Sequence, residues 1–182
     1  MNTPGPKPIA SATGESSLAE QIYPSVAALA FFKGMTEPQL QLLAASAMQV
    51  TFQPGESILR EGEPANRFYL ILEGRVELAS EVKEHNHLPV HTLGPGDNLG
   101  WSWLFPPYYL HFSAHALEPV KAIFFYGTRV RQQCEEDHEL GYQLMKRVAE
   151  ALIQNLTATK EQLLEYADAK SLPAELQPPI EL

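Results

Sequence analysis

The feature that most constrains this chain is a series of glycine-centred turns between Phe52 and Asp97, each flanked by a short apolar run. It reads Phe52-Gln53-Pro54-Gly55-Glu56, then Glu61-Gly62-Glu63-Pro64-Ala65, then Glu73-Gly74-Arg75-Val76, then Leu93-Gly94-Pro95-Gly96-Asp97. Glycine supplies positive φ and proline presets φ, so such pairs turn the chain at fixed places. Met48, Val50 and Phe52 alternate with polar neighbours, the period of a half-buried strand. Further strands are predicted over 57–60, 68–73, 75–80, 90–93, 112–117 and 120–126, with the charged stretch 81–87 as a hairpin tip. Many short strands at close spacing predict a mainly β fold, an antiparallel roll of the jelly-roll kind.

Helical patterns flank the roll. The apolar stretch 25–32 predicts a short buried helix, and Thr36-Glu37-Pro38-Gln39 is a capping box opening a helix to about residue 47. After Gly127 the period becomes helical again, with Thr128 opening a short helix to 136 and a longer one following to about 169. On the long helix Met145, Val148, Leu152, Leu156, Leu163 and Tyr166 fall on one stripe. A helix of this length spans on the order of 45 Å, more than one small roll covers. The stripe is therefore expected to meet a second copy of the chain. The expected organisation is a disordered lead at 1–17, a roll with its N-terminal helices at 18–136, a long helix at 137–170 and a flexible proline-containing tail at 171–182.

Thirteen basic residues against twenty-two acidic ones give a net charge of −9, unfavourable for gripping phosphate backbones. Direct DNA binding is not expected. Cys134 is the only cysteine, which excludes an internal disulfide, and reads as a small buried hydrophobe. The N-terminus lacks the apolar core of a signal peptide and no stretch has the length of a membrane span, so a cytoplasmic protein is expected.

The four turn motifs, in this order and between these helices, resemble the cyclic-nucleotide-binding domain of the catabolite-activator and anaerobic-regulator superfamily. The resemblance runs from about Phe31 to Tyr166. It implies a roll of about eight strands with the long helix as a dimer seam. It also implies a phosphate cassette after Asp97, of the form Phe-Gly-Glu-x-Ala-Leu and then, about six residues on, Arg-(small)-Ala-x-Val-x-Ala. In such a cassette helix amides and the arginine hold the cyclic phosphate while the glutamate accepts the ribose hydroxyl. This chain keeps Leu99, Gly100, Ala114 and Ala116, but Trp101 stands at the glutamate position and Leu110 at the arginine position, with His111 beside it. Indole cannot accept a ribose hydrogen bond, and a neutral histidine does not replace a guanidinium. Usual cyclic AMP or GMP binding is therefore not expected. The candidate pocket is Leu99, Gly100, Trp101, Ser102, Trp103, Leu110 and His111. Its aromatic insert, which runs on through Phe105, Tyr108 and Tyr109, either lines a site for a flatter, less charged ligand or fills the vacated space.

Two other constellations carry chemistry-bearing residues. His85-Asn86-His87 with His91 has the spacing of a metal-binding roll of the cupin kind, but the pair falls in a charged hairpin tip. His111, Ser113 and His115 would share one strand face, yet no nucleophile elbow accompanies them. Glu56, Glu61, Glu63 and Glu73 read as turn and solvent-facing carboxylates. The expectation is a non-enzymatic ligand-sensing module of this class, a homodimer that takes a small-molecule ligand and whose output passes through a protein partner or through its dimer geometry. The alternatives are a ligand-free scaffold plugged by Trp101 and Trp103, and a metal-dependent cupin-like enzyme.

Overall fold

The computed structural model describes residues 15–81 and 88–171. The lead at 1–14, the hairpin residues 82–87 with His85 and His87, and the tail from 172 lie outside the described residues. Eight strands form two four-stranded antiparallel sheets. One sheet has the order β1 (Ala47–Phe52), β8 (Val120–Tyr126), β3 (Arg67–Glu73), β6 (Asn98–Leu99). The other has the order β2 (Ser57–Leu59), β7 (Ser113–Ala116), β4 (Val76–Ser80), β5 (Leu88–Leu93). The long pairings β1–β8 and β3–β8 place Val50, Leu70, Ile71 and Ile123 in the core, each almost wholly buried. This is the antiparallel roll that the turn motifs predict.

The turns work as their residue types require. Gly55, Gly62, Gly74 and Gly96 all hold positive φ. The Leu93–Asp97 turn is closed by its own acid, the Gly94 amide donating to Asp97 Oδ2 at 2.7 Å. Glu61 is not a solvent-facing carboxylate. Its Oε2 accepts from the Ser80 hydroxyl at 3.1 Å and the Glu81 amide at 2.8 Å, tying the second turn to the end of β4.

The helices differ from expectation in their bounds. The first, α1 (Glu15–Ala27), contains Pro24 and takes in residues 15–17 of the predicted disordered lead. The expected helix over 25–32 is split between the end of α1 and a 3-10 turn at Ala30–Phe32. Proline inside a helix removes one hydrogen bond, but Ile22 and Val26 on either side are buried in the same core cluster as Phe32 and Leu43, and packing prevails. The second helix, α2 (Glu37–Ala44), opens on the capping box, the Thr36 amide donating to Gln39 Oε1 at 3.1 Å. It stops before 47 because Ala47 pairs with Phe125 in the sheet. Two further helices, α3 (Gly127–Glu136) and α4 (His138–Ser171), follow the roll. The α4 face carrying Leu140, Leu144 and Val148 is buried.

Candidate functional site

The cassette begins where β6 ends. Gly100 holds φ +87°, and a Cβ there would meet Leu59 Cδ1 at 3.0 Å and the Arg67 carbonyl at 3.2 Å. Only glycine brings the chain this close to β2 and β3 without strain. A single 3-10 turn, Trp101–Leu104, follows, and its two indoles have different partners. Trp101 is half-buried and stacks on the His111 imidazole, ring centroids 5.2 Å apart and planes 14° off parallel. Ser102 is buried, its hydroxyl 2.9 Å from His111 Nδ1.

Trp103 does not line the pocket, a correction to the sequence reading. It is 1% exposed and stacks on Phe68 (4.8 Å, 15°), which stacks in turn on Phe125 (4.6 Å, 7°). Trp103 therefore belongs to the core beneath α3. Gly127, the first residue of α3, packs against it so closely that a Cβ would meet Trp103 Cβ at 2.8 Å. From α3, Arg131 donates to the Trp103 carbonyl at 2.9 Å and lies over the Tyr108 ring, 4.1 Å from its centroid.

Leu110 is buried, its backbone clamped to the Glu61–Pro64 turn by Gly62 N–H to Leu110 O and Leu110 N–H to Glu63 O, both 2.9 Å. The cavity shared by Leu59, Leu78, Leu93, Leu99, Gly100, Trp101, Ser102, Leu110 and His111 measures only about 20 Å³, room for about one water. Five leucines and a stacked indole–imidazole pair form most of its wall. Asn98 is the polar exception: it is 5% exposed, and neither its amide nitrogen nor its amide oxygen has a partner among the described residues. A buried amide left this way costs about 1–3 kcal/mol per group.

Of the predicted pocket residues, Leu99, Gly100, Trp101, Ser102, Leu110 and His111 are brought together and Trp103 is not. The strand face expected for His111, Ser113 and His115 is not formed at its first member, because β7 starts only at Ser113. The Ser113 hydroxyl instead accepts from the Glu61 amide at 3.0 Å. A serine–imidazole contact is instead made by Ser102 and His111, nine positions apart. Among the described residues no group of His, Cys, Asp and Glu side chains could hold a metal ion. Burial, with Asp137 and Glu135 nearby, pushes the Cys134 thiol up to about 11. Cys134 is half-buried rather than the fully buried hydrophobe expected, and a thiol held in its neutral form is a weak nucleophile.

On α4, Met145, Leu156 and Leu163 are exposed and Leu152 is half-buried, whereas Val148 is 1% exposed and faces its own roll. The Tyr166 side chain lies outside the described residues. The outward row is Tyr142, Met145, Ala149, Leu152, Leu156, Thr159 and Leu163, alternating three and four residues apart. This is the heptad spacing of a helix seam, with Val148 one step off it.

Taken together, a two-sheet roll, the turn that ends in Gly96-Asp97 and a long trailing helix define a domain of the cyclic-nucleotide-binding class. The chain matches the family described as cyclic nucleotide-binding domain over residues 49–137. It is 32% identical to a putative cyclic nucleotide-binding protein of Geobacter metallireducens of known structure, covering 76% of this chain and 97% of that one with a TM-score of 0.66. It is 26% identical over 121 residues to a CRP-like cAMP-activated global transcriptional regulator of Mycobacterium tuberculosis, covering 66% of this chain and 54% of that protein. A cAMP-dependent protein kinase regulatory subunit of Dictyostelium discoideum is 41% identical over 61 residues, 32% of this chain and 19% of that one. The chain thus spans at most about half the length of these curated relatives. It belongs to the cyclic nucleotide-binding domain family. Among the described residues no helix is long and apolar enough to cross a membrane.

Proposed function

We propose that this chain is a non-enzymatic regulatory module, cytoplasmic and homodimeric, that does not hold cyclic AMP or GMP through the usual arginine–carboxylate grip. The carrying observation is the cassette: an indole and a leucine at the two gripping positions, around a cavity of about 20 Å³. A cyclic phosphate placed there would lose its hydration and meet no fixed positive charge in return. The outward heptad row on α4 supports pairing of two copies. With a chain charge of −9, output runs through a protein partner or the dimer geometry rather than through DNA contacts by this chain. The small volume of the cavity also favours a second reading, a ligand-free scaffold whose cassette is plugged by Trp101 alone.

The test is a thermal shift series with cyclic AMP and cyclic GMP on the unsubstituted chain and on the pair Trp101→Glu with Leu110→Arg. The proposal predicts no shift for the first and a raised midpoint for the second. A folded double variant that still ignores both nucleotides would show that these two positions are not what sets the chain apart. A small-metabolite panel on the unsubstituted chain separates the readings: a positive shift supports a sensor, and silence throughout supports the scaffold.

A further inference from the structure

Outside the cassette, a cleft of about 420 Å³ opens between α4, the 3-10 turn at Ala30–Phe32 and the Gly96–Asn98 turn. Its volume is that of a small-molecule site, some twenty times the cassette cavity. Three cations stand on its wall, Lys33, Lys146 and Arg147, against the acids Asp97 and Glu150. The Asp97 carboxylate is already engaged by the Gly94 amide. Arg147 is set in place rather than free to wander, donating to the Lys33 carbonyl at 2.6 Å and to Gln143 Oε1 at 2.7 Å. Three cations against two acids leave this cleft one positive charge in surplus within a chain of net charge −9, which favours an anion.

The second observation is Asn98, whose side chain is buried with both amide atoms unpartnered. Asn98 and Asn155 of α4 lie on the wall of both the cleft and the cassette cavity, so the two spaces share a partition. A side-chain amide presents a donor and an acceptor side by side. That pairs with a planar heterocycle carrying the complementary edge, as asparagine does with adenine.

We propose that this cleft binds an uncyclised nucleoside monophosphate, its phosphate toward Lys33, Lys146 and Arg147 and its base edge meeting the Asn98 amide once that side chain turns out into the cleft. A phosphomonoester carries about −1.5 to −2 charge at pH 7, whereas a cyclic phosphodiester carries a single charge. The cation surplus therefore discriminates in favour of the open form. Because Asn155 sits on α4, occupancy would bias the position of the helix that carries the outward apolar row. The cleft and the cassette are separate sites, and binding in one does not require the other.

The test is titration calorimetry of the full chain at low salt with adenosine, guanosine, cytidine and uridine 5′-monophosphates, 3′,5′-cyclic AMP and inorganic phosphate. At least one monophosphate is expected to bind with a dissociation constant below about 1 mM, at least tenfold tighter than cyclic AMP or inorganic phosphate. Lys146→Glu, an exposed position whose change spares the core, is expected to weaken that binding at least tenfold. Trp101→Ala is expected to change it by less than twofold. The proposal is overturned if none of the four binds at 1 mM, if inorganic phosphate binds as well as they do, or if Lys146→Glu leaves binding intact. It is equally overturned if Trp101→Ala abolishes binding, which would place the ligand in the cassette.

Discussion

The turn framework of 52–97 and the cassette of 98–116 belong to one roll, yet they answer to different physical demands. The framework is held by backbone needs. Gly55, Gly62, Gly74 and Gly96 sit at positive φ, and Asp97 and Glu61 spend their carboxylates on main-chain amides. No ligand enters any of those requirements, so the framework keeps its form whatever the roll senses. The cassette keeps only the part of its pattern that the backbone demands, Gly100 against β2 and β3. The two positions that the family resemblance assigns to charge and hydrogen bonding have become Trp101 and Leu110. Fold and ligand chemistry are thus written in separate residues, and one can persist while the other changes.

The two tryptophans sharpen this contrast, and they carry the largest expected effect. Trp103 is core and Trp101 is cassette, although only Ser102 separates them. Trp103→Ala should cost about 3–5 kcal/mol in denaturant unfolding, whereas Trp101→Ala should cost less than about 1.5 kcal/mol because the ring is half-exposed. Equal losses would break the distinction between scaffold and site. Next comes Gly127→Val, which pushes a side chain into Trp103 and the Asn66 backbone. It should destabilise by about 1–3 kcal/mol, and an unchanged melting temperature would show that α3 is not seated on that indole.

A smaller thermodynamic effect is expected on α4. Leu156→Asp with Leu163→Asp should convert a dimer into a monomer by light scattering, while roll stability changes by no more than about 0.5 kcal/mol per site. A monomeric unsubstituted chain at tens of micromolar would remove the seam. The smallest effect is in pH. Burial pushes the Tyr69 phenol up to about 12, with Arg67 opposing in part. The unfolded chain ionises this group near 10, so its contribution is fully present below pH 10 and is lost as pH rises towards 12. Tyr69→Phe should flatten that part of the stability profile, and an unchanged slope would show that the phenol ionises as freely in the folded protein.

Most of the roll was legible in the sequence because turn glycines punctuate it and alternation fills the gaps. The strand β6 was not, since Asn98–Leu99 is too short to show a period and exists only through its pairing with Tyr69 and Leu70. Helix α1 was hidden by Pro24, a breaker that tertiary packing overrides. The cassette's membership was mostly readable, but orientation was not. Trp101 and Trp103 look alike in sequence, and only the 3-10 turn decides which one meets His111 and which meets Phe68. The Ser102–His111 contact joins two loops and has no local signal. The α4 stripe was nearly right, but Val148 sits close to the boundary between two faces and packs on the roll rather than on the outward row. Asn98 left no mark as a site residue, because an unpaired amide is a property of its surroundings.

The most direct test is calorimetric titration of the unsubstituted chain with cyclic AMP at concentrations of tens of micromolar. The account predicts no heat of binding at the cassette, where Trp101 and Leu110 leave neither a charge for the phosphate nor space for the ring. A saturable isotherm with a micromolar dissociation constant, abolished by Ser102→Trp, would contradict it.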